Sequence, residues 1–339
     1  MRFGPVPVAA AEGALLAHAI RRPGLNVKKG ERIGPDHIAA LNAAGVAEIV
    51  VAEIEVDDVT ENEAALAIAG GLAGANLRID DAFTGRCNLI AERSGVLIVD
   101  APAVDRINAI DESVAVATLT PFQRVLAGEM AATVKIIPFA IPRAFLEQAL
   151  MDAGAAPLAV APFRPLRVGV VSTLLPGLKA SVVEKTLRAL DARLAGASSA
   201  IAVEERTRHE TGALAGALSR IEALSDLIVI FGASAIADRR DVAPSAILKA
   251  GGRVAHFGMP VDPGNLLLLG SLPGHPRKPV IGAPGCARSP KENGFDLVLN
   301  RLLAGLDVGA EDIRRMGVGG LLEGKRPFFG QASEFTAKD

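Results

Sequence analysis

The sequence predicts an α/β protein with a mostly parallel sheet in its C-terminal half and smaller α/β units before it. Three observations carry that reading. Short apolar runs, such as 95–99 and 227–231, alternate with stretches of helical spacing, such as Val183, Leu187, Leu190 and Leu194. Between 226 and 290, three apolar runs each end in a loop of small residues, the pattern of a crevice at the carboxyl edge of parallel strands. At 339 residues, half of them apolar, the chain is too long for one ordinary core.

The elements follow in order. Residues 1–56 form a first unit. A short strand is expected at 6–8, and Gly34-Pro35-Asp36 opens a helix that Gly45 stops, since proline suits a first turn and glycine an end. VAEIVVA at 46–52 reads as a strand. Residues 57–155 form a second unit that opens on a helix at 61–72, with Ala64, Ala65, Ile68 and Ala69 on one side. Strands at 95–99, 114–119 and 130–137 alternate with helices at 102–110 and 143–151, which favours parallel pairing. The Ala/Pro/Gly-rich stretch 152–165 reads as a linker. A third unit, 166–310, starts with a strand at 166–173. A helix at 180–194, a strand at 200–203 and a helix at 211–224 follow, and a helix at 292–303 closes the unit after the central loops. Residues 311–339 form a Gly-rich, then polar, tail expected at the surface or in part disordered.

Composition narrows the function. Lys and Arg total 36 against 38 Asp and Glu, a net charge of −2, and there is no Trp or Tyr and only 12 Phe. The near-balance of charge and the scarcity of stacking platforms for bases disfavour a nucleic-acid protein as a whole, leaving room only for a local basic patch. Cys87 and Cys286 form no C-x-x-C pair, which suits a reducing cytoplasm. No 18-residue apolar run and no signal-peptide pattern occur, so no membrane partner is expected.

Several motifs fail. Gly324-Lys325 lacks the spacing of a phosphate-binding Walker loop, and no G-x-G-x-x-G follows a strand. Ser234 begins like a nucleophile elbow but lacks the closing glycine, and its candidate partners His256 and His275 lie far along the chain. The five histidines show no metal-ligand spacing. What remains is strand, tight turn, helix: Gly232-Ala233-Ser234 after an apolar run, then Asp238 and Asp241 around Arg239-Arg240. Such a turn exposes backbone N–H groups to an anion or phosphate. Asp241 reads as an N-cap before Val242-Ala243-Pro244; one of these carboxylates is also a candidate for Mg²⁺ or for a ligand donor. Ser172-Thr173 end the first strand of the unit, as turn caps or as ligand-binding hydroxyls. Cys286 reads as a packed thiol or a reactive one.

These residues resemble the molybdopterin-binding domain of molybdopterin molybdenumtransferases and adenylyltransferases. Val170-Val171-Ser172-Thr173 resembles that family's first strand end. Gly232 to Ala237, followed by Asp241-Val242-Ala243-Pro244, resembles its glycine-rich turn with D-V-T-P. Asp262-Pro263-Gly264 and Ala283-Pro284-Gly285-Cys286 resemble its two Pro-Gly loops. Residues 29–35 (KGERIGP), with Leu41 and 44–49 (AGVAEI), add a weaker likeness to the molybdenumtransferases, while 57–165 match no motif of the family. The chain departs from the pattern at Ala233 and Ala237, where the family has glycines, at a turn about one residue longer, and at Cys286, where the family has asparagine. It is also similar to the N-terminal half of bacterial proteins that fuse such a domain to a molybdenum-cofactor nucleotidyltransferase.

The resemblance implies a three-layer, mostly parallel C-terminal domain that binds molybdopterin or a nucleotide form of it, in cofactor biosynthesis or delivery. Gly232, Ala233 and Ser234 would offer N–H groups to its phosphate, and Asp241, with Asp238 near it, would orient ligand or Mg²⁺. Ser172 and Thr173 would face the crevice, and Asp262, Pro263, Gly264, Pro284, Gly285 and Cys286 would wall it. A catalytic protein would transfer adenylyl groups or molybdenum. The alternatives are a non-catalytic carrier or partner of a molybdenum-cofactor nucleotidyltransferase, or a nucleotide pyrophosphatase on the same fold. The resemblance also implies a homo-oligomer.

Overall fold

The computed structural model describes residues 1–274 and 277–322. His275, Gly324-Lys325 and most of the expected tail lie outside the described residues. The chain forms two compact units, Met1–Arg93 with Leu97–Val160, and Ser94–Val96 with Ala161 onward.

The first unit holds two apolar clusters. One gathers Val8, Leu16, Val27, Ile33, Leu41 and Val51. It is built on antiparallel strands Arg2–Pro7, Glu48–Glu53 and Leu15–Leu16 and the helix Pro35–Ala43, which ends before Gly45 at φ +67°. The other surrounds the helix Glu61–Leu72, whose Ala64, Ala65, Ile68, Ala69 and Leu72 are buried. Glu63 accepts the N–H of Thr60 at 3.3 Å, closing that helix's N-terminus. The expected parallel pairing does not hold here. Val114–Thr118, Met130–Ile136, Arg86–Ala91 and Leu77–Ile79 form an antiparallel sheet. The connection between Leu77–Ile79 and Arg86–Ala91 is too short for a parallel crossover, and it turns through Thr84 and Gly85, both at positive φ. The expected linker also contains structure. Leu158–Pro162 is a strand in the sheet with Gly95–Val99, because Leu158 and Val160 alternate into the core between small residues.

The second unit is organised on six strands. In chain order the elements are β1 (Arg167–Leu174), α1 (Ala180–Ala195), β2 (Ala200–Arg208), α2 (Thr211–Ile221), β3 (Leu227–Phe231), α3 (Val242–Lys249), β4 (Arg253–Phe257), β5 (Leu268–Leu272), β6 (Lys278–Ala283) and α4 (Gly294–Leu303). The sheet order is β2-β1-β3-β6-β5-β4. Strands β2, β1, β3 and β6 pair in parallel, and β5 runs antiparallel to both neighbours, so the sheet is mixed. All five residues of β3 are buried, as a central strand covered on both faces requires.

Alternation along the strands splits the core. Val168, Val170, Val229, Phe231 and Ile281 join Leu190 and Leu194 of α1 and Phe295, Val298 and Leu299 of α4. Val171, Ile228, Ile230 and Val280 join Leu214 and Leu218 of α2 and Ala246 and Ile247 of α3. From β1 the chain passes to β2 on one side and returns to β3 on the other, so strand order reverses between β1 and β3. Ligands of open α/β sheets bind at the carboxyl ends beside such a reversal. Among the described residues, no helix is long and apolar enough to cross a membrane.

Candidate functional site

The loops after β1, β3 and β6 start from one edge of the sheet, because these strands are parallel. The loop after β4 opens on the same edge, since β4 is antiparallel to β5 and β5 to β6.

Ser172 and Thr173 close β1 and are both buried. Ser172 lies opposite Phe231, so Thr173 comes next to the start of the loop after β3. Its Oγ1 accepts the N–H of Ala233 at 2.8 Å and lies 2.8 Å from Nδ1 of His209, just beyond β2. Ser172, one residue earlier, points to the opposite face, and its Oγ is buried without a hydrogen-bond partner.

The turn after β3 requires glycine at 232, where a Cβ would lie 2.8 Å from the carbonyl oxygen of Ser234. Ser234 is exposed, and its Oγ has only the carbonyl of Ala235 at 3.5 Å, so the nucleophile arrangement is not assembled among the described residues. Ile236 anchors the loop in the core, and the stretch from Ala237 to Arg240 is exposed. Asp241 is the N-cap of α3: Oδ1 accepts the N–H of Val242 at 2.7 Å and Oδ2 that of Ala237 at 3.1 Å. Asp238 accepts the N–H and the Nε–H of Arg240 at 2.9 and 2.7 Å, and that arginine holds its carboxyl below the usual range. Magnesium is ordinarily held by one or two carboxylates together with substrate phosphates. Asp241 closes its own loop, Asp238 is paired with a cation, and no group of three or more acidic, His or Cys residues assembles among the described residues. The protein side alone does not make a magnesium site.

In the loop after β4, the side of Asp262 is exposed while its backbone is bound. Its N–H donates to Gly320 and its carbonyl accepts from Leu322, each at 2.8 Å. Pro263 accepts the N–H of Gly294, at the start of α4, at 2.8 Å. Gly264, at φ +148°, meets Gly294 so closely that a Cβ would lie 2.8 Å from its Cα.

The loop after β6 carries Pro284, a short 3-10 turn Gly285–Arg288, and Asn293, which caps α4. Cys286 Sγ lies 3.6 Å from Asn293 Oδ1, and burial pushes its thiol up. Such a thiol stays protonated at neutral pH, which favours the packed reading over the reactive one. Arg193 of α1 and Asp296 of α4 form an ion pair at 2.6 Å with both side chains 4% exposed. Arg193 also donates to the carbonyls of Ala287, Ser289 and Lys291, which fixes the loop.

Two residues not singled out from sequence join the loops. Arg288 donates to the carbonyl of Gly232 at 2.7 Å and to Thr186 Oγ1 at 3.0 Å, with its guanidinium 5.6 Å from the centre of the Phe231 ring. His209 ties β2 to Thr173. The only sequence signal for Arg288 is a lone cation in a loop of small residues. His209 had none beyond its place after β2. A hydrogen-bonded chain therefore runs from His209 through Thr173, Ala233, Gly232 and Arg288 into the loop of Cys286, and Asn293-Gly294 carries it on to Pro263. Asp238 and Asp241 are tied within their own loop. The edge combines backbone N–H groups, hydroxyls and a half-buried cation, which is the chemistry of anion recognition.

A family model described as Domain of unknown function (DUF8806) matches residues 5–53. No curated protein matches the chain. Among solved structures, the chain is similar to a molybdopterin biosynthesis moeA protein from Pyrococcus horikoshii, at 16% identity and a TM-score of 0.31, covering 90% of this chain and 75% of that one. It is also similar to a molybdenum cofactor biosynthesis protein from Pyrococcus furiosus, at 13% identity and a TM-score of 0.27, spanning 64% of that chain. At these scores the likeness carries no argument about this site, whose chemistry is read from its own residues.

Proposed function

We propose that the second unit binds molybdopterin, or a nucleotide form of it, at the carboxyl edge beside β1 and β3, and serves molybdenum cofactor biosynthesis or delivery in the cytoplasm. The observation that supports this reading most is the gathering of the four family-like stretches at one sheet edge, joined by hydrogen bonds through Thr173, Gly232 and Asn293-Gly294. In this reading the turn Gly232-Ala233-Ser234 faces the ligand's phosphate. Thr173 already takes the Ala233 N–H, so it orients the turn. Pro263-Gly264 and Pro284-Gly285 form the walls, with Cys286 as a protonated, packed thiol.

The test is a calorimetric titration of the full chain with molybdopterin, with and without Mg²⁺ and ATP. Binding by the wild type that is lost in Gly232→Val is the expected result. No binding to any pterin form in the wild type overturns the reading.

A second reading, a carrier that binds without turnover and hands its ligand to a nucleotidyltransferase, is favoured by one observation. Both carboxylate oxygens of Asp241 accept backbone N–H groups, so this residue acts first as a structural cap. An enzyme would show adenylyl or molybdenum transfer that falls in Asp241→Asn while binding persists. A carrier shows binding and no transfer in either form. The number of copies in solution, proposed as more than one, is checked by light scattering.

A further inference from the structure

The loop after β6 is approached by two arginines whose surroundings differ in one respect. Arg193 is buried against Asp296, so its charge has a counter-ion. Arg288 is half-buried over Phe231, and its partners among the described residues are all neutral: the carbonyl of Gly232, the hydroxyl of Thr186 and the ring. Among the described residues it has no carboxylate partner, and burial alone pulls its guanidinium down. A cation taken out of water is costly unless an anion joins it. The planar guanidinium fork retains donors beyond the two in use, in a geometry suited to a phosphoryl group.

A second observation points to the same place. Ser172 is 3% exposed and its Oγ has no hydrogen-bond partner. It pairs in register with Phe231, so the two side chains share a face of the sheet, and that face is the one over which Arg288 lies. Buried hydroxyls are nearly always satisfied, so an orphan beside an unpaired cation marks a place for an acceptor from outside the chain. Ser172 ends a strand at the reversal of strand order, and Arg288 reaches Gly232, just past the other strand of that reversal.

We propose that Arg288, with the Ser172 hydroxyl on the same face, forms a subsite for a phosphoryl dianion. Arg288 donates two N–H groups to its oxygens and Ser172 donates its O–H, while Thr186 and Gly232 hold the guanidinium in place. The subsite rests on the crevice reading only for what the rest of the ligand is.

The experiment uses the full chain and inorganic phosphate and pyrophosphate as probes, read by thermal melting and calorimetry at matched ionic strength. Wild type should melt higher with either anion. Arg288→Met should lose the shift, and Arg288→Lys should bind about tenfold more weakly, since a point charge cannot replace the fork. Ser172→Ala should weaken binding by a smaller factor. The proposal is overturned if wild type binds neither anion, or if both Arg288 variants bind as wild type does. If both variants fail to fold, phenylglyoxal modification of wild type decides. Pyrophosphate should then protect Arg288 in peptide mapping, and unprotected modification at saturating pyrophosphate overturns the subsite. Molybdopterin titrations separate the two readings. Molybdopterin bound equally by wild type and Arg288→Lys sinks the subsite and leaves the crevice. Arg288-dependent pyrophosphate binding with no affinity for molybdopterin leaves the subsite and sinks the pterin reading.

Discussion

The loops after β3 and β6 begin on neighbouring parallel strands, yet they are held by different physics. The loop after β6 is clamped: Arg193 reaches three of its carbonyls and is itself neutralised by Asp296. The loop after β3 is fastened at its two ends, by Thr173 at Ala233 and by Asp241 at Ala237 and Val242, and anchored between them by Ile236, while Ser234, Ala235 and the stretch from Ala237 to Arg240 are exposed. A buried network presents a preorganised wall, and an exposed span held at its ends can adjust to what binds. This edge of the sheet thus pairs a rigid loop with an adaptable one.

Breaking the rigid side should have the largest effect. Arg193→Met leaves Asp296 buried and unpaired, and removing one partner of a buried pair costs about 3–5 kcal/mol. Urea denaturation should show that loss. A change below about 1 kcal/mol would mean that the pair does not organise the loop.

The adaptable side should respond less and more locally. Thr173→Val deprives the Ala233 N–H of its acceptor, at a cost of about 1–3 kcal/mol, and Thr173→Ser should restore most of it. Asp241→Ala removes the cap of α3 and should cost about 1 kcal/mol, with Asp241→Asn close to wild type. If Thr173→Val and Asp241→Ala destabilised as much as Arg193→Met, the contrast between the loops would fail.

The same contrast explains what was legible in the sequence. Local chemistry was readable: β3 as five apolar residues in a row, the helix Glu61–Leu72 from its spacing, and Asp241 as a cap. Pairing direction was not. In the first unit, the strands expected at 114–119 and 130–137 pair antiparallel with each other, and two strands the sequence reading missed, Leu77–Ile79 and Arg86–Ala91, extend that sheet through a short turn at Thr84 and Gly85. The strand Leu158–Pro162 hid in an Ala/Pro-rich stretch, since only Leu158 and Val160 carry its apolar signal. For the site, the tight turn at Gly232 was visible, but the clamp was not. Arg193 lies 103 positions from its partner Asp296, and Thr186 lies 102 from its partner Arg288, and only the packing of α1 and α4 on one face of the sheet brings them together.

The smallest expected effect is a pH dependence confined to the adaptable side. His256, in β4, is held below its usual range, first by burial and then by the nearby charges of Arg314 and Arg239. Arg239 belongs to the exposed part of the loop after β3. A histidine with a lowered folded pKa contributes stability above its unfolded value, near 6.5. That contribution is lost as pH falls through the folded value, because the unfolded chain takes the proton first. Once pH falls through that lowered value, protonated His256 also adds a cation beside Arg239, and the repulsion should loosen the span near it. Hydrogen exchange at pH 7.5 and pH 5.5, corrected for intrinsic rates, should therefore show faster opening of amides 237–241 at the lower pH. Amides 286–291, behind the Arg193 clamp, should stay unchanged, and His256→Gln should abolish the difference. Equal loosening of both segments, or loosening that survives in His256→Gln, would remove this histidine from the account and make the two loops respond as one.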